Sequence, residues 1–403
     1  MSTPAHHFET APFTQCPFMP VFAPPAVMFE RGRGTELWDS EGRRYLDFLA
    51  GIAVVSLGHS HPVVAEALRT QSETLLHVSN FFANPPATRA ASAINELLRD
   101  ATGRDGQTFL CNSGAEANEA AIKLARKFGG RGRHRVVSAF GSFHGRTLAT
   151  LAATGQPTKH EPFAPMPEGF RHVPFGDVSA LAAAIDDTVA AVLLETVQGE
   201  GGVVPATAEY LQAVRAVCDE RGVLMMIDEV QTGLGRTGKW FGFQHAEVVP
   251  DVVTLAKALG NGFPVGACWA RSNVSAVFRP GDHGSTYSGT ALAGAVVDAV
   301  IGELRRIDAP DVAQRRGDHL RRRLATMPGV EDVRGQGLLL AAELGSRRDA
   351  KVVNAELLQR GVVANAVTAT SLRFAPPVTV TEDEIDEVAD ILTAILAEDV
   401  GRT

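Results

Sequence analysis

The feature that most constrains this chain is an alternation between residues 106 and 271. Six short apolar runs lie within GQTFLCNSG, RVVSAFGS, RHVPFGD, AAVLLETV, GVLMMIDEV and VGACWAR. Between several of them stand longer stretches with helical spacing, such as AEANEAAIKLARKF and TAEYLQAVRAVCDERG. Runs like AAVLLETV show no polar alternation, so both faces of the strands they form must be covered. Strands buried on both sides and joined through helices build a parallel or mostly parallel sheet between helical layers. The expected fold class is therefore α/β.

The flanks read differently. Residues 1–35 are rich in Pro and Phe without a period and read as an extended arm. ELWDSEGRRYLDFLAG (36–51) reads as a short hairpin turning at Asp39-Ser40-Glu41-Gly42. Pro62 suits the first turn of a helix expected to run through PVVAEALRTQSETLLHV, and a second helix is expected over 86–102. After about 290 an Ala/Val-rich helix leads into the Arg-rich DVAQRRGDHLRRRLATM, then strands in GLLLAAELG and SLRFAPP. Thr381 and Glu384 make a capping box for a last helix. This pattern divides the chain into an arm with part of a small domain (1–60), a large domain (61–290) and a C-terminal small α+β domain (291–403).

Composition narrows the function classes. A net charge of -8 offers no electrostatic reason for nucleic acid or an anionic membrane as partner. No apolar run approaches the length of a membrane span. The four cysteines (Cys16, Cys111, Cys218, Cys268) are far apart and form no CxxC pair, which suits free thiols in a reducing compartment. MSTPAHHFETAPF lacks the basic and apolar regions of a secretory signal, so a cytoplasmic protein is expected.

Lysine is scarce here: six of the 38 basic residues. Lys123 and Lys127 share a polar helical stripe, and Lys159, Lys239 and Lys351 stand among polar or turn residues. Lys257 alone is enclosed by apolar sequence, in DVVTLAKALGNGFPVGA. Such a lysine either snorkels to solvent or is held as an amine for chemistry, because burial depresses its pKa.

GLGRTGKW (233–240) satisfies G-x-G-x-x-G and nearly satisfies the Walker A pattern, but Trp240 stands where Ser or Thr would hold magnesium. Either nucleotide motif also needs a helix opening behind the glycines, and KWFGFQH is a poor helix start. His59 and His61 are two possible metal ligands without a third close in sequence, so no metal is expected. CNSGAEANEAAIKLARKF (111–128) is a better anion site. Ser113 and Glu116 cap a helix whose first N–H groups, at Gly114 and Ala115, face a phosphate in the favourable field of the helix dipole. An ordinary well-capped helix explains that segment equally well. Asp228 ends a very apolar strand, where parallel sheets bind ligands. A phosphate cradle, a strand-end carboxylate and an enclosed lysine together suit pyridoxal phosphate, whose ring nitrogen the carboxylate keeps protonated and whose aldehyde the lysine attacks.

With these motifs in view, the chain resembles the class III, fold-type I aminotransferases over nearly its whole length. The landmarks are CNSGAEANEAAIKLAR, FHGRT, QGEGGV, IDEVQTGLGRTG, TLAKALGNGFPVGA and GDHGSTYSG. The resemblance implies a seven-stranded-type, mostly parallel sheet in the large domain and pyridoxal 5'-phosphate as cofactor. It implies that Lys257 forms the Schiff base and then moves a proton, that Asp228 pairs with the ring nitrogen and that Gln231 meets the phenolic oxygen. Ser113, Gly114 and Ala115 would hold the phosphate and Phe143 would stack on the ring, although a core phenylalanine reads the same way. Thr286, assisted by Ser285, would reach the cofactor phosphate of the neighbouring subunit, making the protein a homodimer with shared sites. Arg146 would grip a substrate carboxylate, a surface salt bridge being the alternative. Glu200 and Arg373 would form a substrate gate, closed for an ω-amine and open for glutamate. The expected reaction moves the δ-amino group of N-acetylornithine to 2-oxoglutarate, with ornithine, succinylornithine, succinyldiaminopimelate or 4-aminobutyrate as alternative donors. The readings from other classes are a nucleotide-binding protein built on GLGRTGKW and a non-catalytic binding protein on the same fold. The sequence departs from the family's habit at Ala115 (commonly Thr), Thr196 (commonly Pro) and Ser288–Ala293 (commonly GGNPLA).

Overall fold

A computed structural model of the chain describes residues 18–345 and 348–400, with backbone alone for 399 and 400. Its centre is a seven-stranded sheet in the order Gly106–Cys111, Gly266–Arg271, Val252–Leu255, Leu224–Asp228, Val189–Glu195, Arg135–Ala139, Phe170–Val173. The last five strands of that order pair in parallel, while Gly266–Arg271 runs antiparallel to both its neighbours. The sheet is thus mostly parallel, as expected. One of its strands, Val252–Leu255, is the apolar stretch just ahead of Lys257.

Alternation along Leu224–Asp228 explains why both faces must be apolar. Met225 and Ile227 pack in one cluster with Leu211 and Val214 of the helix Ala208–Arg221. Leu224 and Met226 pack in another with Ala121 and Leu124 of the helix Gly114–Gly129. Each such side chain contributes roughly 1.5–3 kcal/mol by leaving water. A polar residue on either face would therefore need a buried partner, and that condition is met only at the strand's end, by Asp228.

The second layer of structure comes from both ends of the chain. Val330–Gln336, Leu339–Leu344, Ser371–Phe374 and Asn365–Ala366 form an antiparallel sheet in that order. The hairpin of Glu36–Asp39 and Arg44–Asp47 turns as expected, with Asp39 Oδ1 accepting from Glu41 N and Arg43 N. Its second strand pairs in parallel with Val362–Val363. Residues 29–33, expected as arm, form a strand against Glu36–Asp39. Residues 1–17, including Cys16, lie outside the described part.

Helix ends follow local chemistry. Pro85–Thr102 and Glu382–Val400 start where expected, the latter with the reciprocal Thr381–Glu384 bonds of a capping box. The helix Pro62–Ser72 is shorter than the expected 62–78. Ser72 Oγ bonds back to Arg69 O and the Gln71 amide takes the Leu75 carbonyl, so side chains replace the next helical turn. Thr290, in the segment that departs from the family's habit, caps the helix Ala291–Arg306 by accepting from Ala293 N at 3.1 Å.

Candidate active site

Three strands bring polar groups to one edge of the central sheet. In register, Asp228 stands beside Glu195 on one side and Thr254 on the other. All three residues are buried. Asp228 Oδ2 accepts from Asn118 Nδ2 at 2.8 Å and faces His144 Nδ1 at 2.9 Å, and Oδ1 accepts from Val230 N at 3.0 Å. Asn118 is itself fixed, donating to His144 O and accepting from Thr254 Oγ1, each at 2.8 Å. The carboxylate is thereby held in one orientation with acceptor capacity left on Oδ1.

Lys257 begins a short 3-10 turn just past the strand Val252–Leu255. Its φ of +46° lies in the left-handed region, a conformation that costs an L-residue about 1 kcal/mol. The amine makes no ion pair or hydrogen bond among the described residues. Enclosure by protein, with the Arg373 guanidinium adding to it, pushes its pKa down to about 8, against the opposing pull of Asp228, Glu200 and Glu195. Lysine is here kept closer to a neutral nucleophile than anywhere on a free surface.

The helix Gly114–Gly129 points its N-terminus at the same region. Ser113 Oγ accepts from Glu116 N at 3.2 Å. The Glu116 carboxylate reaches back to Asn112 N and Nδ2, each at 2.8 Å, one residue earlier than a standard capping box. The N–H groups of Gly114 and Ala115, in the first turn, have no acceptor within the helix. A Cβ on Gly114 would lie 3.0 Å from the Val230 methyls, so the loop after Asp228 packs against the helix start. The helix start and the Asp228 carboxylate are neighbours for that reason.

Phe143 is half-buried, its backbone N–H donating to Glu195 Oε2 at 3.1 Å. Burial, with the Asp228 charge beside it, holds the Glu195 carboxyl well above the usual range. Two cations face the Phe143 ring: Arg146 with its guanidinium carbon 5.6 Å from the centroid and Lys159 with its ammonium 5.5 Å away. Arg146 has no carboxylate within salt-bridge distance among the described residues, so the surface-salt-bridge alternative fails. Lys159, read from sequence as a turn residue, belongs to this cluster.

Glu200 and Arg373, 173 positions apart, do meet: Arg373 Nη1 donates to Glu200 Oε1 at 2.9 Å and to Gly199 O at 3.2 Å, and Nη2 donates to Asn365 Oδ1 at 2.8 Å. Arg373 is 1% exposed. Burial raises the Glu200 pKa, but the Arg373 guanidinium, with Lys257 and Lys159 adding to it, brings it below the usual value. A Cβ on Gly199 would lie 1.7 Å from Gln231 Oε1, so the Gln231 amide lies directly against this backbone. Ser285 stands beside Asn112 (Oγ to Nδ2 3.2 Å), next to the cradle of its own chain, while Thr286 is exposed.

The glycine run 233–238 does something else. Gly235 and Gly238 have φ near +90° and leave room for Ala309 and Gln314. Arg236 is buried among Leu338 O, Pro376 O and Ser56 Oγ, and burial lowers its pKa to about 10. Only a five-residue 3-10 helix, Gly242–Ala246, follows. The loop therefore ties the two sheets together and presents no helix N-terminus to a phosphate. His59 is taken by Asp47 at 2.7 Å and His61 lies 3.7 Å from Glu303.

Sequence reasoning missed Asn118, His144, Thr254, Glu195 and Lys159. Asn118 carried one usable signal, an amide on an otherwise apolar helix face (Ala117, Ala121, Leu124), which demands a buried partner.

Comparison with known proteins agrees with this geometry. The family model described as Aminotransferase class-III matches residues 20–396. An acetylornithine aminotransferase of Caldanaerobacter subterraneus subsp. tengcongensis is 47% identical over 381 residues, 92% of this chain and 95% of that one. A succinylornithine transaminase of Salmonella paratyphi A is 43% identical, covering 91% of both. The crystal structure of N-acetylornithine aminotransferase from Stenotrophomonas maltophilia K279a superposes with a TM-score of 0.81 at 35% identity, covering 94% of this chain and 98% of that one. The match spans the arm-side hairpin, the central sheet and the C-terminal sheet alike, and this chain belongs to the class III aminotransferases.

Proposed function

We propose that this transaminase moves the δ-amino group of N-acetylornithine to 2-oxoglutarate, working with pyridoxal 5'-phosphate. The observation that carries the reading is Lys257: an unpaired amine with its pKa near 8, held in a strained backbone conformation beside the clamped Asp228 carboxylate.

The residues present fit the cofactor. The N–H groups of Gly114 and Ala115 would take its phosphate, with Ser113 at the cap. The free acceptor position on Asp228 Oδ1 would take the ring N–H, Gln231 would meet the phenolic oxygen and Phe143 would lie against the ring. When bound, the cofactor supplies an aldehyde for the amine and an electron-withdrawing ring. The chain's own residues then have distinct tasks. Lys257 Nζ, with its pKa lowered to about 8, is neutral in a good fraction of molecules near that pH and would hold or release a proton at the donor carbon that bears the amine. Asp228, oriented by Asn118 and His144, would pair with the ring nitrogen and favour its protonated form.

Arg146 would hold the donor's carboxylate. The Glu200–Arg373 pair would stay closed over the uncharged part of an ω-amine donor and open when glutamate brings a carboxylate to Arg373, since a buried guanidinium cannot be left without a counter-charge. An acylated ornithine suits this arrangement better than free ornithine. Its α-amine carries no charge to repel Arg146 and Lys159.

We also infer a homodimer in which Thr286 acts at the neighbouring site, while Ser285 stands against Asn112 of its own chain. Support comes from three exposed aromatics: Phe81 (91%), Phe82 (69%) and Tyr287 (61%) lie on segments joined by Asn80 Nδ2 to Ser285 O at 3.0 Å. Such aromatic exposure is typical of interfaces. The domain division at 60 and 290 is proposed as well, supported by the pairing of Arg44–Asp47 with Val362–Val363. A cytoplasmic location is the matching proposal; among the described residues no helix is long and apolar enough to cross a membrane.

The test is the near-visible absorption of the purified protein before and after N-acetylornithine, without keto acid. A yellow band that bleaches supports cofactor, lysine and donor together. A band that persists rejects that donor. A protein that stays colourless after incubation with pyridoxal phosphate rejects the cofactor.

A further inference from the structure

Lys159 is the one lysine besides Lys257 whose surroundings depress its pKa, through burial first and the neighbouring Arg146 second, with Glu200 opposing. Its place is fixed. Lys159 Nζ donates to Gln156 Oε1, and Gln156 Nε2 donates to Ser142 O at 2.9 Å, directly before Phe143. Gly155 N donates to Ser142 Oγ at 3.0 Å, a second tie between the two loops. The ammonium is thus registered against the Phe143 ring rather than free to wander in solvent. Arg146 faces the same ring.

The charge count at this spot is unbalanced. Arg373 and Glu200 neutralise each other. Arg146 and Lys159 are both cations, both near one ring, and neither has a carboxylate within salt-bridge distance among the described residues. A donor with one carboxylate leaves one of the two uncompensated as water is excluded, whereas a donor with two leaves none. We propose that Lys159 is a second carboxylate-binding residue of the donor pocket, forming with Arg146 a two-cation clamp that favours ω-amine donors of the N-succinyl amino acid class. This rests on the aminotransferase reading above and extends it to the acyl group.

The test uses the holoenzyme and its Lys159→Met and Lys159→Arg variants. The rate of bleaching of the near-visible band is followed in single turnovers with N-succinylornithine and with N-acetylornithine. The wild type is expected to take the succinyl donor at least as well as the acetyl one. Lys159→Met is expected to lower the succinyl-to-acetyl ratio of kcat/KM by about tenfold, the order expected for one partly shielded ion pair. Lys159→Arg, which keeps the charge, is expected to restore most of the ratio. A general structural defect would slow both donors together and leave the ratio alone. An unchanged ratio, or a wild type that clearly prefers the acetyl donor, overturns the clamp while leaving the aminotransferase intact. A coloured wild type bleached by neither donor defeats the underlying reading as well, and is distinguishable on that ground.

Discussion

Replacing Glu200 by Ala separates the two jobs that the Glu200–Arg373 pair is asked to do. Arg373 is 1% exposed and would keep two neutral acceptors, Gly199 O and Asn365 Oδ1, while losing its one carboxylate among the described residues. Breaking a fully buried pair costs about 3–5 kcal/mol, and breaking an exposed one about 0–1 kcal/mol. The Glu200 side chain is 35% exposed, which places this pair between the limits, at roughly 2 kcal/mol. That energy is also what an incoming carboxylate must overcome to displace Glu200. Its removal should therefore favour glutamate and 2-oxoglutarate over the ω-amine donor by about thirtyfold. The assay follows each half-reaction alone, donor with the yellow enzyme and 2-oxoglutarate with the aminated form, and compares the two kcat/KM values with wild type. Glu200→Gln, which keeps a hydrogen bond without the charge, should fall between. Equal losses in both half-reactions, or a ratio that moves towards the donor, would refute the gate. Loss of colour would mean that Glu200 holds the cofactor instead.

Asp228→Asn keeps the shape but removes the charge proposed to pair with the ring nitrogen; turnover should fall on the order of 10²- to 10³-fold, and an unchanged rate would remove Asp228 from the mechanism. Lys257 makes a stability prediction for the cofactor-free protein. Its folded pKa near 8 lies below its ordinary value of 10.5, so between these pH values the unfolded chain binds more protons. Stability from this group therefore rises with pH across that window, and the advantage of Lys257→Met over wild type in urea midpoint should shrink from pH 8 to 10.5. A constant difference would mean that the amine is not shielded. Arg236→Ala strands Leu338 O, Pro376 O and Ser56 Oγ and should lower stability by about 3 kcal/mol or more, whereas exposed Lys239→Ala in the same loop should stay within about 0.5 kcal/mol. If Lys239→Ala were instead the damaging change in activity, the nucleotide reading of GLGRTGKW would return.

What could be read from the sequence was what is local. The cap at Ser113, the strand end at Asp228 and the enclosed Lys257 each depend on neighbours within a few positions, and each lies where the pattern placed it. Direction was not legible in the same way: VGACWAR is as apolar read backwards as forwards, so nothing marked Gly266–Arg271 as the antiparallel strand. Val330–Gln336 escaped notice because its charged, half-exposed residues carry no apolar alternation. The Glu200–Arg373 pair was legible only through resemblance, since no local rule joins residues 173 positions apart. Lys159 shows the limit from the other side. Its sequence context, QPTKHEP, is that of a turn, and the turn is real. What brings the lysine to the Phe143 ring is the Gln156–Ser142 bond, which fastens that turn to the loop carrying Phe143. Chemistry assembled from two loops leaves no periodic trace in either of them.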